Sequence, residues 1–447
     1  MLAKECGLTN PEIDPAIARA SRYYASYTGY GSHPYGEHGP YSKAHENNGK
    51  SGLASLCFML LGDRAEEGKF FSMMATAAAS EREIGHTGPY FNQLWAPLGA
   101  AAGGEAAVAA HFSRISWMLD LNREWEGGFY WNRLDGSGSG ERWNDFDMST
   151  VALLTYALPL RELHITGRGH DPTRHLTTQE VADATAADDY DAPGRTTSEL
   201  VTDLGNWSPK VQLEAAKEIG LRTADHAALV PQLIAIANDT QAGESRAGAC
   251  FALGEIGDGS AAADLAALLD DAEAKVRYAS AEALRYLPQT DKLAQVDTIL
   301  AAAARTGKPF FPIDEDDPMQ FAHHRLCMLL FYSGNAYGPK GVIWGNRING
   351  IDRSLLYPAI EAVAGHPAGQ ARSTLGETYV NLTYDVVLTL SGTILDSITV
   401  RAPADKMFSG GVRTGGVEAM QIYSIADGVP ACMKLITDTP SDSLLEL

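Results

Sequence analysis

An internal repeat restricts this chain more than any other feature. VQLEAAKEIG (211–220), RAGACFALGEIG (246–257) and VRYASAEALRYL (276–287) are variants of one amphipathic block. Ile219-Gly220 maps onto Ile256-Gly257, and Ala252-Leu253 onto Ala283-Leu284. A second amphipathic stretch follows each block: ALVPQLIAIA, AAADLAALL and AQVDTILAAA. Two helices per unit of about 30–40 residues is the pattern of a helical solenoid, in which each unit buries its apolar face only against its neighbours. Small Ala and Gly residues on the first helix let neighbouring helices approach closely. Arg246 and Arg277 open the second and third blocks, as in the HEAT pattern. Residues 205–305 are therefore expected to form HEAT-like repeats.

The residues before the repeat also read as helical. Apolar spacing predicts helices at about 11–27, 50–61, 65–82, 90–102, 104–122 and 147–158, which make three hairpins. Gly- and aromatic-rich loops join them, the longest being TGYGSHPYGEHGPYSKAHENNGK and EGGFYWNRLDGSGSGERWNDF. Residues 1–169 form one helical domain in this reading. The polar, acidic stretch 170–204 reads as an inter-domain linker. Residues 306–447 begin with the acidic loop FPIDEDDP and return to helices at 318–333, 354–364, 371–390 and 412–425. VNLTYDVVLTLSGTILDSITV fits strand and helix about equally, and the region is taken as mostly helical. The fold class expected is all-α.

AHENNGKSGLASLCFMLLGD, EREIGHTGPYFNQLWAPLGA, LPLRELHITGRG and the tail DKMFSGGVRTGGVEAMQIYSIADGVPACMKLI resemble segments of a family of uncharacterised bacterial proteins, common in planctomycete-type genomes. That family joins an α/α-toroid, similar to the terpenoid-cyclase and prenyltransferase toroids, to C-terminal HEAT-like repeats. The resemblance covers nearly the whole chain. It implies that the first 169 residues are part of such a toroid, with further hairpins, an export signal and often a PDZ-like module upstream. No activity comes with it.

Charge excludes some functions. The chain has 35 Lys and Arg against 56 Asp and Glu, a net charge of -21. Binding a phosphate backbone needs clustered cations, so nucleic acid and anionic membrane surfaces are not expected partners. No apolar run approaches the roughly 20 residues of a membrane span. The opening MLAKECGLTN lacks the apolar core of a signal peptide, which read literally places the chain in the cytoplasm. The five cysteines are scattered and form no CxxC, so neither a zinc ribbon nor a disulfide scaffold is expected; Cys57 and Cys250 read as small buried residues. No cofactor or metal is expected. The P-loop, GxGxxG, HExxH and GxSxG motifs are missing. The acidic run of a terpene synthase is missing too, and Asp188-Asp189 falls in the expected linker.

Chemistry would be carried by the loops that precede helices, where backbone and polar groups are presented together. Three stretches stand out. The first holds Tyr35, Glu37 and His38, and then His45-Glu46-Asn47-Asn48-Gly49-Lys50. The second is Glu81-Arg82-Glu83 with His86 and Tyr90, and the third runs from Trp143 through Asp145 to Asp147. His45, Asn48, Arg82, His86, Tyr90, Asp145 and Asp147 are the catalytic candidates. His86 or Tyr90 would serve as base, Arg82 and Asn48 as oxyanion stabilisers, and Glu37, Asp145 or Asp147 as general acid. Tyr35, Glu37, His38, Lys50, Trp95 and Trp143 are the substrate-binding candidates, with Trp95, Trp131, Trp143 and Tyr30 able to stack on sugar rings. The same residues also read as helix caps, tight turns and core.

Two functions follow. One is a carbohydrate-active enzyme, a polysaccharide lyase or glycosidase acting on a glycan or other small substrate. The other is a scaffold that binds a protein partner on the solenoid. A third, an isoprenoid- or peptide-binding toroid, requires a greasy aromatic cavity. Convergence of His45, His86 and Asp145 on one cavity would favour the enzyme; their dispersal as caps would favour the scaffold.

Overall fold

The computed structural model describes residues 7–34, 39–81, 84–85, 88–129, 148–305, 319–334, 338–344, 348–366, 369–397, 409–426, 429–430 and 433. Within them the chain is helical; the only β pairing is two isolated bridges, Ser32 with Tyr41 and Arg123 with Phe129. The all-α expectation holds. Two compact units divide the chain. One comprises residues 1–195 and 206–214, the other 196–205 and 215–447.

The first unit contains α1 (Ile13–Ala25), α2 (Lys50–Leu61), α3 (Ala65–Thr76), α4 (Gly88–Ala102), α5 (Glu105–Leu121), α6 (Ser149–Ala157) and α7 (Thr178–Asp188). Helix α2, KSGLASLCFMLL, is apolar around most of its circumference and is accordingly buried over most of its length. It crosses α4 closely because both carry glycine at the contact. A Cβ on Gly52 would stand 2.3 Å from the Trp95 carbonyl oxygen, and one on Gly99 would stand 2.5 Å from the Gly52 Cα. Gly62, in the left-handed region at φ 72°, ends α2.

The expected linker is a correction. Residues 178–188 and 197–203 are helices α7 and α8 (Thr197–Asp203), each opened by a capping box. Thr177 and Glu180 bond reciprocally at the first, and Thr196 and Glu199 at the second. Ala184 and Ala187 of α7 join Met73, Ala77, Ala107 and Leu176 in a buried cluster of the first unit. Leu200 and Leu204, around α8, are fully buried in the second unit, each contributing about 2 kcal/mol of apolar burial. A polar composition concealed two short helices that bury Ala184, Ala187 and Leu200.

The second unit carries the repeat. First helices α9 (Pro209–Leu221, of which residues 215–221 belong here), α11 (Ser245–Ile256) and α13 (Ala274–Tyr286) alternate with α10 (His226–Asn238), α12 (Ala262–Ala267) and, after the short α14 (Gln289–Ala294), α15 (Val296–Arg305). Successive first helices meet at small residues. A Cβ on Gly220 would lie 2.9 Å from the Glu255 Cβ, and one on Gly254 would lie 2.7 Å from the Ala283 Cα. Arg246 is buried, donating to the Ala237 carbonyl at 3.0 Å and to Asp271 and Glu273 at 3.0 and 3.1 Å. It thereby ties the end of one second helix to the turn before the next first helix. Helices α16 (Met319–Phe331) and α17 (Arg353–Ala364) follow, then α18 (Gly369–Ser373), α19 (Gly376–Val380), α20 (Tyr384–Thr389), α21 (Ser391–Asp396) and α22 (Ser409–Ile422). The single helix expected at 371–390 is thus three short ones, and the strand alternative for 380–400 is not adopted by the described residues there. No described helix is long and apolar enough to cross a membrane.

Candidate functional site

The richest polar cluster lies where the loop before α2 turns into the helix. Asn48 (φ 56°) and Gly49 (φ 72°) are both left-handed, which swings the chain sharply onto the helix axis. Gly49 is required twice over, since a Cβ there would stand 2.2 Å from the Phe91 carbonyl oxygen. Its N–H donates to Asn92 Oδ1 at 2.6 Å.

Glu46 is fully buried and accepts the backbone N–H groups of Asn47 (2.9 Å), Ser51 (2.9 Å) and Gly52 (2.7 Å). It therefore caps α2 with a carboxylate at the positive end of the helix. Burial and the charge of Glu81 outweigh those three N–H bonds and push its carboxyl up to about 7.

Glu81 is the hub. It accepts the backbone N–H groups of His45 (2.5 Å) and Glu46 (3.2 Å), His45 Nδ1–H (3.1 Å) and Lys210 Nζ (2.7 Å). Burial pushes the Glu81 carboxyl up, but His45 and Lys210 outweigh it and hold the group below its ordinary range. Burial likewise pulls Lys210 down, and Glu81, Glu214 and Asp188 more than restore it.

With Nδ1 donating to Glu81, His45 Nε2 accepts from Ser208 Oγ at 2.8 Å. Ser208 Oγ in turn accepts the Val211 N–H at 3.3 Å and so caps α9. The His45 ring lies nearly parallel to Trp207, centroids 6.1 Å apart, and Phe70 meets Trp207 edge-on. Nearby, Asp188 accepts Ser80 N–H at 3.1 Å and Arg114 Nε–H at 2.7 Å, while Asp189 accepts from Arg114 Nη1 at 2.8 Å. These two aspartates, assigned to a linker in the sequence reading, fasten α7 to α5.

Serine, histidine and carboxylate in hydrogen-bonded series is the geometry of nucleophilic catalysis. Ser208 and His45 are fully buried among the described residues, and Ser208 Oγ accepts the Val211 N–H. The series holds the first turn of α9 in the first unit.

Of the residues predicted from sequence, His45 enters this network through its side chain. Asn48 is buried and serves the turn, its Nδ2 donating to Asn47 Oδ1 at 2.8 Å. Lys50 Nζ donates to the Pro34 carbonyl at 2.8 Å. Tyr90 packs beside Ala79, Ile115 and Met118, and Trp95 beside Leu56, Leu98 and Leu158. A Cβ on Gly49 would stand 2.6 Å from Trp95 Cδ1 and one on Gly85 would stand 2.5 Å from Asn48 Nδ2, so Trp95 and Asn48 lie against the same turn. Tyr35, Glu37, His38, Arg82, His86, Trp143, Asp145 and Asp147, and Trp131 with them, lie outside the described residues. The sequence reading missed Ser208 and Lys210, and gave Glu46 and Glu81 no role. Ser208-Pro209 before an amphipathic block is a legible cap signature; its pairing with His45 is not. Among the described residues, no three His, Cys, Asp or Glu side chains gather so as to hold a metal ion.

What the helices and this buried network define is a helical-repeat protein with a helical N-terminal region. Residues 197–285 match the family model for HEAT repeats. Residues 1–167 match the model described as a domain of unknown function (DUF6288). Comparison with curated proteins and with solved structures found no match.

Proposed function

We propose that this chain is a protein-binding scaffold whose second unit presents a HEAT-type surface to a partner. The carrying observation is the match of residues 197–285 to HEAT repeats, on helix pairs stacked through Gly220 and Gly254. Such arrays offer extended surfaces whose outward side chains vary while the packing is kept. The charge points to a basic partner: residues 196–305 carry 16 Asp and Glu against 9 Lys and Arg.

Affinity capture by the intact chain, followed by cross-linking and mass spectrometry, tests the proposal. The expected result is a stoichiometric partner whose cross-links fall within residues 197–305. A glycan that raises the melting temperature by several degrees, with no partner reaching the repeats, would establish the carbohydrate reading instead.

A further inference from the structure

Resting on the scaffold reading, the surface can be narrowed to one face. Positions one repeat apart point the same way on successive first helices. Glu218, Glu255 and Tyr286 form one such row, and Phe251 and Glu282 part of the next. The rows are held in line by the backbone contacts of Gly220 with Glu255 and of Gly254 with Ala283.

The charges on this face are unevenly answered. Glu218 is paired with Arg222 at 3.1 Å. Glu282 is paired with Arg285 at 2.7 Å and Arg325 at 3.5 Å. Glu255 is exposed and makes no ion pair among the described residues. Burial pushes its carboxyl above the ordinary range, the charge of Lys217 pulls it back, and the charge of Glu282 adds to the rise. Beside it, Tyr286 is 48% exposed. Phe251 leans edge-on against Tyr278, centroids 6.1 Å apart. Beneath this face, the Arg325 guanidinium lies over the buried Tyr278 ring at 5.4 Å.

We infer that the face formed by Phe251, Glu255, Glu282 and Tyr286 binds a Lys- or Arg-bearing segment of a protein partner, with the cation at Glu255 and its stem or guanidinium against Tyr286. The exposed carboxylate, in no ion pair among the described residues, supplies the charge complement, and the exposed ring supplies contact area at small conformational cost.

The test is fluorescence anisotropy of the intact chain with a labelled twelve-residue Arg-Gly-Ser peptide, beside a matched peptide carrying Glu in place of Arg. The wild type is expected to bind the basic peptide saturably, and more weakly as salt rises. Glu255→Lys should weaken binding about tenfold and Tyr286→Ala about threefold. Asp297→Lys makes the same charge change on the exposed side of α15 and should leave binding within about twofold. Circular dichroism of each variant checks that it is folded. Equal weakening by Glu255→Lys and Asp297→Lys would reduce the effect to general attraction by an acidic chain and overturn the assignment. Absence of saturable binding would overturn it too. If a partner is nonetheless captured through the repeats, only the basic-segment assignment falls; if neither is seen, the scaffold reading falls with it.

Discussion

At the scale of single residues, the first unit depends on two buried carboxylates with opposite pH behaviour. Glu81 holds His45 and Lys210, and replacing it with Gln leaves Lys210 with only the longer Glu214 contact at 3.9 Å. Glu81→Gln should therefore cost about 3 kcal/mol, read from the first unfolding transition in urea. Because the folded state holds Glu81 below its ordinary 4.5, its contribution is full above that value and is lost as acid protonates it. Glu46 runs the other way. Its folded value of about 7 exceeds 4.5, so the folded state binds the extra proton between them. The stability it lends is full below pH 4.5 and disappears as pH rises through 7, a span on the order of 3 kcal/mol. Burial holds His33 at about 3 and His111 at about 4, which makes stability rise with pH over the same span, so urea titrations at pH 5 and pH 8 should show the wild type losing stability relative to Glu46→Gln. An unchanged slope in the variant would remove Glu46 as the source of that loss.

At the scale of elements, glycine at crossings sets how closely helices approach. Gly52→Ala would drive a methyl into the Trp95 carbonyl, and separating α2 from α4 should cost about 1–3 kcal/mol. The same substitution at Gly62, where nothing lies within 4 Å, meets only the strain of its positive φ and should cost less in the same urea assay. The repeats were legible in the sequence because one pattern recurs three times and each copy corroborates the others. The six helices of the first region were legible from apolar spacing. The helices at 178–188 and 197–203 carried readable signals, Thr177 with Glu180 and Thr196 with Glu199, but a composition argument over the whole stretch outweighed them. The site was less legible. His45 and Ser208 lie 163 positions apart, and a hydrogen bond between them leaves no local trace. Residue type alone marks these loop positions as chemically able, and Asn, Asp and Gly are equally the types that make caps and turns.

At the scale of the whole molecule, the compact units do not coincide with the family matches. The N-terminal match stops at residue 167, yet Leu176, Ala184, Ala187 and Val211 complete the buried cluster with Met73, Ala77 and Ala107. A chain ended at 167 should bind the dye ANS more strongly and aggregate more than one ended at 214. Equal behaviour of the two would show that α7 and the first turn of α9 are dispensable. The glycine contacts of the repeat have one more effect. Rods that touch backbone to backbone lie about 8 Å apart, the short end of helix spacing. A stretched polyproline-type guest completes a turn every three residues and advances ~3.1 Å with each, so its like-facing side chains recur every ~9 Å. The two intervals are nearly commensurate, and a guest with one cation in three would offer one to each successive rod.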